Sequence, residues 1–305
     1  MKQQGVPDNP VRFSIIIALY NKARYIVRAL DSLAAQTYLP FEIIIVDDGS
    51  TDNSRAVAEQ WHRQHPELTL HWFIQAVNQG PGACRNKGIE MSKAEYLLFL
   101  DADDCYENRL LASLADLIRQ QNYPLIVFGY QRLPCGSSYL SYLPEWLIPS
   151  GEHAFTIEPI MKAFSDRRFP ILVSNVAVSR KALAKQRFDE SRAPFEGIDL
   201  WFRVIQDLSF SDARIGYLQQ NLHTIFNVPD SLIRKPSALA DSQLPAAIRN
   251  FGFSRDRYQR EFCYRIATTW FWHQLSRMPS CFAKVTFFWR YRQVLPLLRW
   301  RYRKP

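Results

Sequence analysis

Three aspartates stand within four residues directly after an apolar run, and they are the strongest chemical signal in the chain. Asp101, Asp103 and Asp104 follow residues 96–100, a segment typical of a buried strand. Like charges this close repel one another, and a bound divalent cation removes that repulsion. Oxygen ligands of this kind suit Mg²⁺ or Mn²⁺, which often take further ligands from water and substrate phosphates. A capping cluster at a helix start is the alternative, although three acids exceed what capping requires.

Two more polar turns follow apolar runs. Residues 47–52 read Asp-Asp-Gly-Ser-Thr-Asp after the run 41–46, and residues 78–82 read Asn-Gln-Gly-Pro-Gly before a helix that carries Arg85. Ser, Thr and Asp are common helix caps, so capping explains the turn at 47–52, taken alone, about as well as ligand binding does.

The elements that position these turns alternate between strand and helix. Apolar runs at 13–20, 41–46, 68–74 and 96–100 predict strands, and the apolar spacing over 22–35 predicts a helix. This alternation predicts an α/β fold with a mostly parallel sheet and helices on both faces. Ligands bind beyond the carboxyl ends of such strands, so the three polar turns are expected to meet at one edge.

The second half of the chain is less regular. Residues 133–151 are expected to form a long loop, residues 171–178 hold a strand signal and residues 157–164 a helical or strand signal, and the periodicity at 197–208 predicts a helix. Pro229, Pro236 and Pro245 mark a linker.

Four motifs in register resemble the family 2 glycosyltransferases, which are inverting enzymes of the GT-A fold. They are Ser-Ile-Ile-Ile-Ala-Leu-Tyr-Asn-Lys at 14–22, Val-Asp-Asp-Gly-Ser-Thr-Asp at 46–52, Asn-Gln-Gly at 78–80 with Arg85-Asn86, and Phe-Leu-Asp-Ala-Asp-Asp at 99–104. Each is weak alone, but four in order over about ninety residues are specific. The resemblance continues more loosely from 187 to about 231 and does not cover the end of the chain.

The resemblance implies roles for single residues. Its donor-binding residues would be Ala18, Tyr20, Asp48, Arg85 and Asp101. Of these, Asp48 would hydrogen-bond the edge of uracil, and Arg85 would lie near the nucleotide or its phosphates. Asp101 and Asp103 match the D-x-D motif, which engages the ribose and the metal ion on the pyrophosphate. The expected cofactor is Mn²⁺ or Mg²⁺, with Asp103 and Asp104 as ligands.

Two acids compete for the role of catalytic base. Inversion by direct displacement needs a base to take the proton of the acceptor hydroxyl. The family usually places a Glu-Asp pair at a helix start, where this chain has Glu196 followed by Gly197. Glu196 and Asp199 share one helix face, so either is a candidate. The structural alternatives are an ion pair from Asp199 to Arg203 and a favourable helix-start charge at Glu196.

His223 precedes a stretch, 226–231, that resembles a loop near the acceptor or the diphosphate. It is a candidate third metal ligand, and a structural role is the alternative.

The last sixty residues differ from the rest. Residues 246–305 contain thirteen Arg or Lys, two acids and fifteen aromatic residues, whereas the whole chain has a net charge of +9. We therefore expect a GT-A domain at 1–235 and a basic, aromatic, helical region at 236–305. Aromatic and basic residues favour an anionic membrane surface, and packing of the aromatics onto the first domain is the alternative. Nucleic acid is not an expected partner, because no nucleic-acid motif is present.

Composition excludes other classes. The apolar runs are far shorter than the roughly 20 residues of a membrane-spanning helix, and residues 1–10 lack the pattern of a secretory signal. Five scattered cysteines with no C-x-x-C spacing suggest reduced thiols rather than a zinc site or disulfides. The expected location is the cytoplasm, peripheral on the inner face of the cell membrane.

The family resemblance, together with these features, implies a hexosyltransferase. It would transfer a sugar from a nucleotide-diphosphate donor, expected to be a UDP-sugar, with inversion of the anomeric configuration. The expected acceptor is a hydroxyl of a growing lipid-linked, capsular or lipopolysaccharide glycan. The substitution at Gly197 keeps open a non-catalytic sugar-nucleotide-binding or membrane-docked partner of other transferases. A nucleotidyltransferase is disfavoured, because the turn after the first strand has no glycine.

Overall fold

The structure is a computed structural model that describes most of the chain. The described residues are 10–139, 146–165, 169, 171–191, 195–211, 213–228, 244–251, 256–278 and 280–298. Their strands are β1 (Phe13–Leu19), β2 (Phe41–Asp47), β3 (Leu70–Ile74), β4 (Tyr96–Asp101), β5 (Cys105–Tyr106), β6 (Leu125–Leu133), β7 (Ser137–Tyr139), β8 (Leu147–Gly151), β9 (Ala154–Ile157), β10 (Val176–Ser179) and β11 (Ile215–Phe226).

The helices lie between and after these strands. They are α1 (Ile26–Ala34), α2 (Ser54–Gln64), α3 (Pro81–Met91), α4 (Leu110–Gln121), α5 (Ile160–Ser165), α6 (Arg180–Leu183), α7 (Glu196–Ser209), α8 (Ala246–Phe251), α9 (Arg257–Arg277), α10 (Cys281–Arg290) and α11 (Leu295–Leu298), with a 3₁₀ turn at Arg292–Val294.

The strands form one mixed, mostly parallel sheet. Its order is β3-β2-β1-β4-β10-β6-β11-β9-β8, and β5 and β7 pair with β11 and β6 outside this path. Strands β1 to β4 are parallel, β10 runs antiparallel to β4 and β6, and β11 is parallel to β6. The carboxyl ends of β1, β2 and β4 therefore share one edge, which confirms the predicted α/β class.

The apolar strands are buried on both faces because each face carries a layer of helices. In β1, Ile15 and Ile17 join a core with α1, α2 and α4. Ile16 points to the opposite core, which contains residues of α3, α7 and the C-terminal helices. An uninterrupted apolar strand is the sequence consequence of this arrangement.

Two predicted elements differ from the observed ones. The helix expected at 22–35 begins at Ile26, and the N–H groups of Lys22 and Ala23 before it donate to Ser54 Oγ (2.7 Å) and Asp52 Oδ2 (3.1 Å). The loop expected at 133–151 contains β7 and β8, which pair with β6 and β9. Residues 140–145 of that loop lie outside the described structure.

The C-terminal helices pack onto the sheet-bound helices. Phe262 of α9 stacks on Phe202 of α7, with ring centroids 4.0 Å apart and planes 2° apart. Both rings are buried, and they belong to the same apolar core as Val176 of β10. Phe262 of α9 thus packs onto the first part of the chain, as the alternative to membrane binding predicts. The linker prolines Pro229 and Pro236, the expected boundary at 235/236 and the basic run 299–303 lie outside the described residues.

Within the described part of the chain, no helix combines the length and hydropathy needed to cross a bilayer. All five cysteines are free thiols, as predicted.

Replacing Phe262 by Ala removes a fully buried ring from this stack. We expect it to lower the free energy of unfolding by about 3–5 kcal/mol, because the cavity cannot close fully. Urea denaturation followed by circular dichroism measures the change. Phe210→Ala is the control, since Phe210 is 82% exposed and surface truncations usually change stability by less than about 0.5 kcal/mol. Equal effects of the two variants would contradict the described packing.

Candidate active site

Side-chain hydrogen bonds tie the β1–α1 and β2–α2 turns together. Asn21 adopts a left-handed backbone conformation (φ 51°), which Asn tolerates better than most residues. Its Oδ1 accepts from the N–H groups of Thr51 (2.8 Å) and Asp52 (3.2 Å), and its own N–H donates to Ser50 Oγ (3.1 Å). Two of the predicted polar turns are therefore one connected structure at the sheet edge.

Asp48 connects the third turn to the same edge. Its carboxylate is buried and accepts from the N–H groups of Gln79 (2.6 Å) and Gly80 (2.9 Å). Both oxygens are thus engaged in holding the loop before α3, and the uracil contact implied for Asp48 stays a prediction. Ala18 and Tyr20 lie at the end of β1, and each is only partly buried.

Arg85 is the central charge of the site. Its Nη2 donates to Asp101 Oδ1 at 2.8 Å, and its Nη1 donates to Glu196 Oε1 at 2.7 Å. Its side chain is only 7% exposed. Burial lowers the pKa of the guanidinium, but the two carboxylates outweigh this and raise it, so Arg85 stays cationic. The first D-x-D aspartate and a candidate base are therefore held by one side chain.

Close packing of α3 puts Arg85 at this position. Gly88 lies against Ile16 of β1, where an added Cβ would come within 2.3 Å of Cγ2. Gly82 is equally close to the carbonyl oxygen of Asp189. These two glycines let α3 lie directly on the sheet and on the segment before α7.

Asp103 is paired with a cation from the β1–α1 turn. Lys22 Nζ lies 2.5 Å from Asp103 Oδ2, and Arg28 donates to the Asp103 carbonyl oxygen at 2.6 Å. The Arg28 guanidinium in turn lies 3.4 Å from the ring centroid of Phe226 at the end of β11. Sequence reasoning missed Lys22 and Arg28 as site residues. Lys22 lies inside the motif at 14–22, but its pairing with residue 103 depends on strand order.

Asp104 and His223 lie beneath the acidic turn. His223 Nε2 is 3.2 Å from Asp104 Oδ2, and the N–H of Phe226 donates to Asp104 Oδ1 at 3.1 Å. Both side chains are buried. Burial raises the pKa of Asp104 and outweighs the opposite effect of His223. The pair joins the turn to β11, and this geometry fits a structural role better than exposed ligation.

The residues present fit a cation that is shared with a bound nucleotide. The three predicted metal ligands do not surround one point, and among the described residues no three His, Cys, Asp or Glu side chains are grouped to hold an ion. The carboxylates of Asp101 and Asp103 are partly exposed (38% and 16%). One or two carboxylates with substrate phosphates are the usual protein ligands of Mg²⁺.

Gly197 is explained by the packing of α7. A Cβ at this position would lie 1.9 Å from Val173 Cγ2, so any side chain requires Val173 to move. Phe195, just before the helix, has a left-handed backbone (φ 67°). Glu196 therefore leaves the start of α7 toward Arg85, while position 197 faces the wall built by Val173. Sequence reasoning gave no signal for Val173.

Asp199 forms the ion pair that was the alternative to a catalytic role. Its Oδ2 accepts from Arg203 Nε at 3.0 Å, and its side chain is 2% exposed. Burial raises its pKa, and this effect outweighs Arg203. No hydrogen-bond partner for its Oδ1 is found among the described residues. Glu196 and Asp199 are thus neighbours on α7 with different surroundings, and only Glu196 contacts the D-x-D network.

Solved structures of other proteins share the fold of this chain. A mannosyltransferase from Pyrobaculum calidifontis in complex with GDP-Man and Mn²⁺ has a TM-score of 0.58 at 17% identity, covering 96% of this chain and 84% of that one. Staphylococcus aureus TarS 1-349 in complex with UDP has a TM-score of 0.59 at 22% identity, covering 96% and 92%. At this identity the likeness is one of fold.

Sequence relatives point the same way. The amylovoran biosynthesis glycosyltransferase AmsB of Erwinia amylovora is 28% identical over 219 residues, 70% of each chain. An uncharacterized glycosyltransferase of Nostoc is 42% identical over 109 residues, 36% of this chain and 33% of the relative. The family described as Glycosyl transferase family 2 matches residues 14–186, which include every acidic turn but not Glu196, Asp199 or His223. With this match over more than half its length, the chain belongs to glycosyl transferase family 2 and is a glycosyltransferase of the GT-A fold.

Proposed function

We propose that this glycosyltransferase transfers the sugar of a UDP-sugar donor to a hydroxyl of a growing surface glycan, with inversion of the anomeric configuration. Glu196 is the proposed base. The observation that carries the proposal is the contact of Arg85 with both Asp101 and Glu196. It brings the donor-binding motif and the candidate base to opposite ends of one guanidinium. TarS structures with UDP and with UDP-GlcNAc support the choice of donor.

The proposed reaction is a single displacement. The acceptor oxygen attacks the anomeric carbon, the bond from that carbon to the diphosphate oxygen breaks, and Glu196 takes the hydroxyl proton. Arg85 orients the Glu196 carboxylate through its 2.7 Å hydrogen bond. Ala18, Tyr20 and Asp48 would contact the nucleoside.

Asp101 and Asp103 are the proposed ligands of a Mn²⁺ or Mg²⁺ ion on the donor diphosphate. When bound, the ion supplies Lewis-acid stabilisation of the charge on the departing diphosphate. Lys22, which pairs with Asp103, would place a second positive charge near the departing diphosphate. Asp104 and His223 would hold the acidic turn in place rather than bind the ion.

The acceptor is proposed to be a lipid-linked, capsular or lipopolysaccharide glycan. AmsB, whose name states a role in amylovoran biosynthesis, supports a polysaccharide acceptor. The same proposal includes a hexosyl donor and peripheral binding to the inner face of the cell membrane. It also includes a division of the chain into domains 1–235 and 236–305.

Membership of a glycosyltransferase family is evidence against the non-catalytic sugar-nucleotide-binding alternative. The side chain of Val173 occupies the space that an acid at position 197 would need. The proposed base is therefore the neighbouring Glu196.

Asp103→Asn tests the metal site. We expect Mn²⁺-stimulated release of UDP from a UDP-sugar to fall at least about 100-fold, because a ligand of the charge-stabilising ion is lost. Mn²⁺ binding in the presence of UDP, measured by electron paramagnetic resonance, should weaken in parallel. Asp116→Asn is the control, since Asp116 is exposed and forms an ion pair with Arg119 on the surface of α4. Unchanged Mn²⁺ binding in Asp103→Asn would contradict the assignment.

Glu196→Gln and Asp199→Asn separate the two candidate bases. We expect Glu196→Gln to lower sugar transfer at least about 100-fold with UDP affinity retained, because general-base catalysis is worth that much. Asp199→Asn should keep transfer and lose about 1–3 kcal/mol of stability, since its buried contact with Arg203 is weakened. Transfer rates, calorimetric UDP binding and urea denaturation measure these effects.

The reverse pattern would assign the base to Asp199. Wild-type protein that binds UDP but transfers no sugar to any glycan acceptor would contradict the proposal.

A further inference from the structure

Helix α10 presents an apolar face to solvent. Phe282, Val285 and Trp289 are 82%, 57% and 66% exposed. Their spacing of three and four residues puts them on one side of the helix. Phe288 beside them is 41% exposed. Large apolar side chains that cluster in this way usually mark an interaction surface, whereas single ones do not.

The other side of α10 is fixed to the body of the protein. Phe287 and Tyr291 are buried, with their ring centroids 5.6 Å and 4.9 Å from that of Trp270 on α9. Phe287 also lies 5.2 Å from Phe271. The exposed face is therefore not needed to hold the helix in place, and the helix offers it in a fixed orientation.

The charge around this face has one sign. Lys284, Arg290 and Arg292 are exposed on or just after α10. No Asp or Glu follows Glu261 in the sequence, so the last 44 residues carry nine basic residues and no acid. The net charge of this segment equals the +9 of the entire chain. An anionic partner is complementary to it.

We propose that α10 docks on an anionic lipid bilayer, with Phe282, Val285 and Trp289 inserted at the boundary between headgroups and acyl chains. Amphipathic helices with aromatic and basic residues bind at this depth. Lys284 and Arg290 contact lipid phosphates from the same helix. The inference deepens the proposed function and rests on it for its purpose, which is to hold the enzyme beside a membrane-bound acceptor.

Vesicle co-sedimentation of the 305-residue chain tests the proposal. We expect binding to vesicles of equal parts phosphatidylglycerol and phosphatidylcholine, and much weaker binding to phosphatidylcholine alone. The double variant Phe282→Ser/Trp289→Ser should bind the anionic vesicles at least about tenfold more weakly. Lys284→Gln/Arg290→Gln should weaken binding by roughly the same factor.

Phe210→Ser is the matched control. Phe210 has the same 82% exposure as Phe282 but lies at the end of α7, so its loss should leave vesicle binding unchanged. Thermal unfolding of each variant checks the fold, and all of the changed side chains are exposed.

Three results would overturn the proposal. One is wild-type protein that stays in the supernatant with anionic vesicles, and another is a double variant that binds them as tightly as wild type. The third is a wild-type dimer in light scattering that the double variant converts to monomer without any vesicle binding, which would assign the face to a second copy of the chain. Because the vesicle assay contains no donor and the UDP-release assay no lipid, failure of either proposal is seen separately.

Discussion

The site depends on one buried cation that must be paired twice. Arg85 is almost fully buried, and a buried guanidinium without partners would be strongly destabilising. Its partners come from distant parts of the chain, Asp101 at the end of β4 and Glu196 at the start of α7. Folding of the sheet edge and docking of α7 are thus linked through a single charge. The donor motif and the candidate base gain their relative position from this link.

Much of the edge could be predicted from the sequence. Strand–helix alternation and the positions of the acidic turns follow from local patterns, and the parallel strands bring those turns together. The partners of the three aspartates could not be predicted. The contacts are Asp101 with Arg85, Asp103 with Lys22 and Asp104 with His223. Each partner lies on a different element, which only the tertiary fold brings next to the turn. A local sequence pattern cannot distinguish an exposed ligand from a buried anchor in one turn.

The same limit applies to the end of the chain. Aromatic and basic residues alternate there, and composition allows both packing and membrane binding. The structure shows packing for part of this region only. Phe262, Trp270 and Phe271 of α9 are buried in the core shared with α7, whereas Phe282 and Trp289 on one side of α10 are exposed to solvent. Which side of a helix is covered depends on its neighbours, and those are set by tertiary packing.

Val173 limits which residues position 197 can hold. The helix start that carries Glu196 has room for a hydrogen atom where a carboxylate-bearing side chain would meet a methyl group. A larger residue at position 197 alone would clash with Val173, and a smaller residue at position 173 alone would leave a cavity. An acid could enter here only together with a smaller neighbour. We therefore expect the effects of substitutions at positions 173 and 197 on stability to be non-additive.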